Sequence, residues 1–118
     1  MTDALPTTAF KILSRADWRL TLAEGAYDGS PADCADGFIH LSAADQLAGT
    51  ASKHYAGQSD LMLVEVDLTA LGETLVWEPS RGGALFPHIY GPLPVAATRG
   101  ARALSVTVGG DMILSELQ

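Results

Sequence analysis

Three histidines, His40, His54 and His88, are the residues of this 118-residue chain best suited to acid–base chemistry. Imidazole is the one side chain whose unperturbed charge changes close to neutral pH. His40 lies in "GFIHLS". Period-two alternation there puts Phe38, His40 and Ser42 on one face of a strand and Ile39 and Leu41 on the other. The aliphatic pair must face a core, so His40 faces a cleft or a second sheet. His88 lies in "LFPHIYGPLP". Pro87 fixes its own φ and pushes Phe86 to an extended conformation, and Pro92 does the same to Gly91. An extended "PHIYG" projects His88 and Tyr90 to one side and Ile89 to the other. Proline cannot donate to a central ladder, so this segment is predicted as an edge strand beside a ligand site.

The neighbouring "WEPSRGG" supplies Glu78, Ser80 and Arg81. The Gly82-Gly83 pair lets the backbone approach a ligand or adopt positive φ, and a guanidinium beside it can fork onto a phosphate or carboxylate. His54 has a plainer reading. Leu47, Thr50, Ala51 and His54 fall at i, i+3, i+4 and i+7, the inward stripe of a helix, so His54 is predicted to pack in the core and support His40 from behind. Other chemistries lack their signatures. There is no G-x-S-x-G elbow, no HExxH and no Cys/His metal spacing. A zinc site would have to recruit His54 out of the core, so no metal is expected. Ser42 is assigned to a helix cap and lacks an acidic orienter, which argues against a Ser42–His40 nucleophile pair.

Composition limits the partners. The net charge is −7 with only seven Lys and Arg, and no basic run occurs. Nucleic-acid binding needs clustered cations and is not expected. Cys34 is the only cysteine, so no intrachain disulfide can form, and a reducing, cytoplasmic compartment fits. "MTDALPTTAF" has neither the basic nor the apolar region of a signal peptide, and no apolar run approaches membrane-span length. The expected partner is a small molecule. The oligomeric state is not readable.

The elements that must position these residues form one domain, 1–118, with residues 1–8 as a loose arm. "AFKIL" reads as a first strand. Ser14 then caps a helix with Asp17 at its third position, Trp18 and Leu22 pack inward, and Gly25 ends it. "YDGSPADCAD" reads as a turn-rich loop. "GFIHLS" is a short strand, and Ser42 caps a second helix running to about Tyr55. "DLMLVEVDL" is apolar on both faces over its first half and is predicted as a central strand. "LVWEP", "ALSVTV" and "MILSEL" supply further strands. Strand pairs and two helices mix without strict alternation, which is an α+β pattern.

Taken together, "DGFIHLS", "KHYAGQSDLMLVEVD" and "WEPSRGG" followed by "LFPHIYGPLP" resemble the small bacterial proteins grouped as domain of unknown function 952, from about Phe10 to Val108. That family is grouped by fold with the ADP-ribosyltransferases. The resemblance implies a split β-sandwich of short, mainly antiparallel strands with two helices, and a cleft that takes NAD as substrate. The segment "FIHLS" is also similar to the "HVHLS"-type strand of the tRNA 2′-phosphotransferases, and it maps His40 to the position facing the nicotinamide. Relatives often read "YHI" on the first strand; this chain reads "FKI", so Lys11 stands where a ribose-binding histidine is usual. The late-strand glutamate of mono-ADP-ribosyltransferases has no clear counterpart. The arginines with which the phosphotransferases grip RNA are missing.

These readings assign His40 and His88 as catalytic residues. Lys11, Ser42, Arg81, Phe86 and Tyr90 are assigned as ligand contacts, with His54 and Glu78 supporting them. The expected function is binding of NAD or a related nucleotide, with ADP-ribosyl or related glycosyl transfer. The alternative is a non-catalytic binding or interaction module on the same fold.

Overall fold

The computed structural model describes residues 5–114. The chain runs β1 (Thr8–Ser14), α1 (Arg15–Glu24), β2 (Ala26–Tyr27), α2 (Pro31–Asp36), β3 (Ile39–His40), α3 (Ala44–Tyr55), β4 (Leu61–Asp67), β5 (Leu75–Pro79), β6 (Leu85–Ile89), β7 (Leu93–Pro94), β8 (Thr98–Val106) and β9 (Met112–Leu114). Every strand pairing among the described residues is antiparallel. A four-stranded sheet has the order β1-β4-β8-β9, a three-stranded sheet the order β3-β6-β5, and β2 pairs with β7 alone.

The alternation of "LMLVEVD" explains the layers. Met62, Val64 and Val66 point from the main sheet into one apolar cluster, which Ala9, Leu13, Trp18, Ile39 and Ile89 complete. Leu61 and Leu63 point the other way, into a second cluster with Ile12, Leu47, Ala51, Leu104 and Val106. The main sheet is therefore covered on both faces, by the three-stranded sheet and α1 on one side and by α3 on the other. Val64 and Ile89 are fully buried, and each such side chain contributes roughly 1.5–3 kcal/mol relative to exposure.

Several expectations are corrected. Three α-helices form among the described residues, not two, because "SPAD" is a helix start rather than a loop. Ser30 accepts from the backbone of Asp33 (3.1 Å), Asp33 accepts from the backbone of Ser30 (2.9 Å), and Pro31 stands at the first helical position. In α1, Ser14 caps Asp17 N as expected (3.0 Å), but the buried pair is Trp18 and Thr21, while Leu22 is 52 % exposed. The sheet is met at the i, i+3 positions, and Leu22 lies past the edge of that contact. The second cap also moves. Ala43 is the N-cap of α3, and Gln46 Oε1 accepts from its N–H (3.0 Å), while Ser42 Oγ is taken by Thr50 Oγ1 (2.7 Å).

The proline-flanked segment is a central strand, not an edge. β6 lies between β3 and β5. The Pro87 carbonyl accepts from Leu41 N (3.0 Å), so its missing N–H falls on the β3 side, just where that two-residue strand ends. Thr7 and Thr8 do not belong to a loose arm: Thr8 pairs with Asp67, and the Thr7 carbonyl accepts from Leu68 N (2.9 Å), while residues 1–4 lie outside the described residues. The strand expected at 103–108 runs from Thr98 to Val106, and in "MILSEL" Met112–Leu114 form β9, while residues 115–117 lie outside the described residues.

Candidate functional site

A cleft of about 630 Å³ opens between β1, α2, the end of α3 and the β3–β6 pair. His40, His88, Lys11, Ser42, Phe86 and His54 all line it. The register of the smaller sheet sets its wall. Ile39 pairs with Ile89 and His40 with His88. Directly opposed residues point to the same face, so both isoleucines enter the core and both imidazoles leave it. The two rings stand edge to face with centroids 5.4 Å apart. Phe38 stacks on His88 at 4.1 Å and also touches the rings of His40 (4.7 Å) and Tyr90 (5.2 Å).

Each histidine is held by a carboxylate on Nδ1. Asp33 Oδ1 lies 2.6 Å from His40 Nδ1 and accepts from His40 N at 3.1 Å. Glu78 Oε1 lies 2.7 Å from His88 Nδ1, and Tyr90 donates its hydroxyl to both oxygens of Glu78 (2.8 and 3.0 Å). At His88 a carboxylate in this position fixes the proton of a neutral imidazole on Nδ1 and leaves the lone pair on Nε2. His88 itself is only 4 % exposed.

Asp33 is the hub of the site, and sequence reasoning missed it. It is 2 % exposed and receives Lys11 Nζ on both oxygens (3.1 and 2.8 Å). Lys11 donates also to the His40 carbonyl (3.0 Å). Burial alone would raise the Asp33 carboxyl, but the Lys11 ammonium and the bonds from His40 and Ser30 hold it below the ordinary aspartate range. Burial pulls the Lys11 ammonium below the usual lysine value, with Asp33 opposing. Bonds from His88 and then Tyr90 hold Glu78 below the ordinary glutamate range, and Glu78 in turn raises Tyr90.

The structure separates the expected residues into groups. His40, His88, Lys11, Ser42 and Phe86 share the cleft. Glu78 and Tyr90 lie behind His88 and outside the cleft lining, so Tyr90 reaches the site through Glu78. The Arg81 side chain lies outside the described residues; the adjoining Gly82 has φ 65, the left-handed conformation expected of it. His54 is exposed on the cleft rim rather than packed in the core. The inward face of α3 centres on Leu47 and Ala51 and leans toward half-buried Tyr55, which turns Thr50 and His54 to the cleft side. Asp36 and Lys53 also line the cleft without having been expected. Among the described residues no group of three or more His, Cys, Asp or Glu side chains is arranged to hold a metal ion, and no helix is long and apolar enough to cross a membrane.

Residues 12–101 match the model of a family described as protein of unknown function, DUF952. The chain belongs to the DUF952 family. Its fold is similar to that of protein CC0527 from Caulobacter crescentus. A crystal structure of that protein is 48 % identical, with 91 % of this chain and 94 % of that chain covered, and a TM-score of 0.86. A solution NMR structure of CC0527 gives 48 % identity, 89 % and 90 % coverage and a TM-score of 0.78. No protein among the curated ones matches. This DUF952 chain thus shares both the family and the fold of CC0527-like proteins.

Proposed function

We propose that this DUF952 protein binds NAD or a related nucleotide in the cleft and transfers its glycosyl part. The observation that carries the reading is the pair of histidines opposed across β3 and β6, each bound at Nδ1 by its own carboxylate. His88, with its lone pair on Nε2 and Glu78 behind it, is the general base for an acceptor. His40 orients the ligand on the other side. The lining suits a ligand with a flat ring and a hydroxylated, anionic body: Phe10, Phe86 and Tyr55 offer apolar surface, Ser80 a hydroxyl, and Lys53 a cation. Loss of nicotinamide passes through an oxocarbenium-like state, and the acceptor that gives up its proton to His88 takes the place of the leaving nicotinamide. The resemblance to the ADP-ribosyltransferase fold supports the same ligand. A single exposed thiol, Cys34, agrees with a cytoplasmic setting.

One observation favours a non-catalytic binding module. Lys11, Asp33 and His40 satisfy one another so fully that Lys11 spends its donors inside the protein. Calorimetric titration of NAD, with a nicotinamide-release assay run beside it, decides. The transferase reading expects saturable binding, release above the uncatalysed rate, and loss of release in His88→Ala. Binding without release makes the protein a module. Absence of binding overturns both readings.

A further inference from the structure

His40 has a carboxylate on each ring nitrogen. Asp33 holds Nδ1, and Asp36 Oδ2 lies 2.9 Å from Nε2. The two carboxylates differ in kind. Asp33 is buried and bound to Lys11, so its bond is part of the fold. The Asp36 side chain is 54 % exposed, sits on the last turn of a six-residue helix, and is followed by Gly37 at φ 89. Its side chain pairs with His40. The Asp36 oxygen thus occupies the place beside Nε2 that a ligand oxygen would take.

We infer that Asp36 is an internal stand-in for a ligand oxyanion, and that His40 Nε2 is the contact for a carboxylate or phosphate group of whatever occupies the cleft. The inference rests on the reading that the cleft binds a ligand, and it adds which chemical group meets His40. Three features support it. Asp36 and His40 both line the cleft, so the bond lies where a ligand would lie. Lys53 lines the same cleft and supplies a cation to its far side in a chain of net charge −7. The Asp36 contact is exposed, and exposed ion pairs are weak enough for a ligand to displace. Among the described residues the Asp36 side chain makes no other hydrogen bond or ion pair, so its release leaves the Lys11–Asp33–His40 frame intact.

The test uses inorganic phosphate as the probe and the His40 ring nitrogens, read by two-bond 1H–15N spectra of the full chain, as the reporter. Phosphate should bind wild type weakly and Asp36→Ala up to about fivefold tighter, the scale of an exposed pair. Removing any nearby negative charge would help an anion somewhat, so His40→Gln and the double variant complete a cycle. If the gain from Asp36→Ala vanishes in the His40→Gln background, the inference stands. An equal gain in that background, no gain at all, or no phosphate-dependent shift of His40 in any variant overturns it. Acetate replaces phosphate in a second arm, to separate carboxylate from phosphate recognition. These outcomes do not depend on NAD, so a failure here is distinguishable from failure of the nucleotide reading.

Discussion

His40 and His88 sit directly opposite each other on antiparallel strands, with ring centroids 5.4 Å apart and Phe38 against both. Their carboxylates come from different places: Asp33 from the short helix α2 and Glu78 from β5. The site is therefore assembled from four elements, β3, β6, α2 and β5, and depends on the packing that brings them together.

Asp33 should carry the largest structural effect. Asp33→Ala leaves the Lys11 ammonium 5 % exposed with one carbonyl as its partner. Removing one member of such a pair costs about 3–5 kcal/mol, because the remaining charge is buried and uncompensated. Urea denaturation should show this as a lower midpoint. The double variant Lys11→Met, Asp33→Leu should lose less than the sum of the two single changes, since both charges leave together.

The same carboxylate predicts an acid dependence. The Asp33 pKa is lowered in the fold; burial opposes this, and Lys11 with its bonds outweighs burial. A carboxyl depressed on folding contributes stability above its unfolded value, about 3.9, and that contribution disappears as pH falls through the folded value. Wild type should therefore lose stability steadily below about pH 4 in denaturation midpoints taken across pH. In Asp33→Asn the slope over that range should be shallower.

Half of this site was legible in the sequence. Alternation in "GFIHLS" and "PHIYG" assigns His40 and His88 to one kind of face, because a buried isoleucine beside each leaves the imidazole no other side. The prolines misled about the strand's place, since β3 ends early enough for Pro87 to sit centrally. Asp33 was hidden for a different reason. "SPAD" looks like any turn, and only the tertiary approach of Lys11 from β1 makes its last residue, Asp33, a hub. Helix faces were the weakest signal. The 3.6-residue period allows several residues near one edge of a stripe, and packing rotated α1 away from Leu22 and α3 away from His54.

Glu78 and Tyr90 should act through His88. Glu78→Gln should lower nicotinamide release at least about tenfold while the NAD affinity changes little, because it disturbs the base and not the ligand contacts. Its pH–rate profile should also move. Tyr90→Phe should have a smaller effect in the same direction, since the His88 bond to Glu78 survives it. Steady-state rates across pH check both, and a Glu78→Gln variant with an unchanged profile would remove Glu78 from the proposed transfer.

The most direct test of the paired-histidine cleft is a titration of NAD followed on the ring nitrogens of His40 and His88 in one two-bond 1H–15N spectrum. If the cleft is the ligand site, both imidazoles shift together and saturate at NAD concentrations up to about 1 mM, a range typical of enzyme substrates. If neither moves while the protein stays folded, the two histidines are a structural pair and the account is wrong.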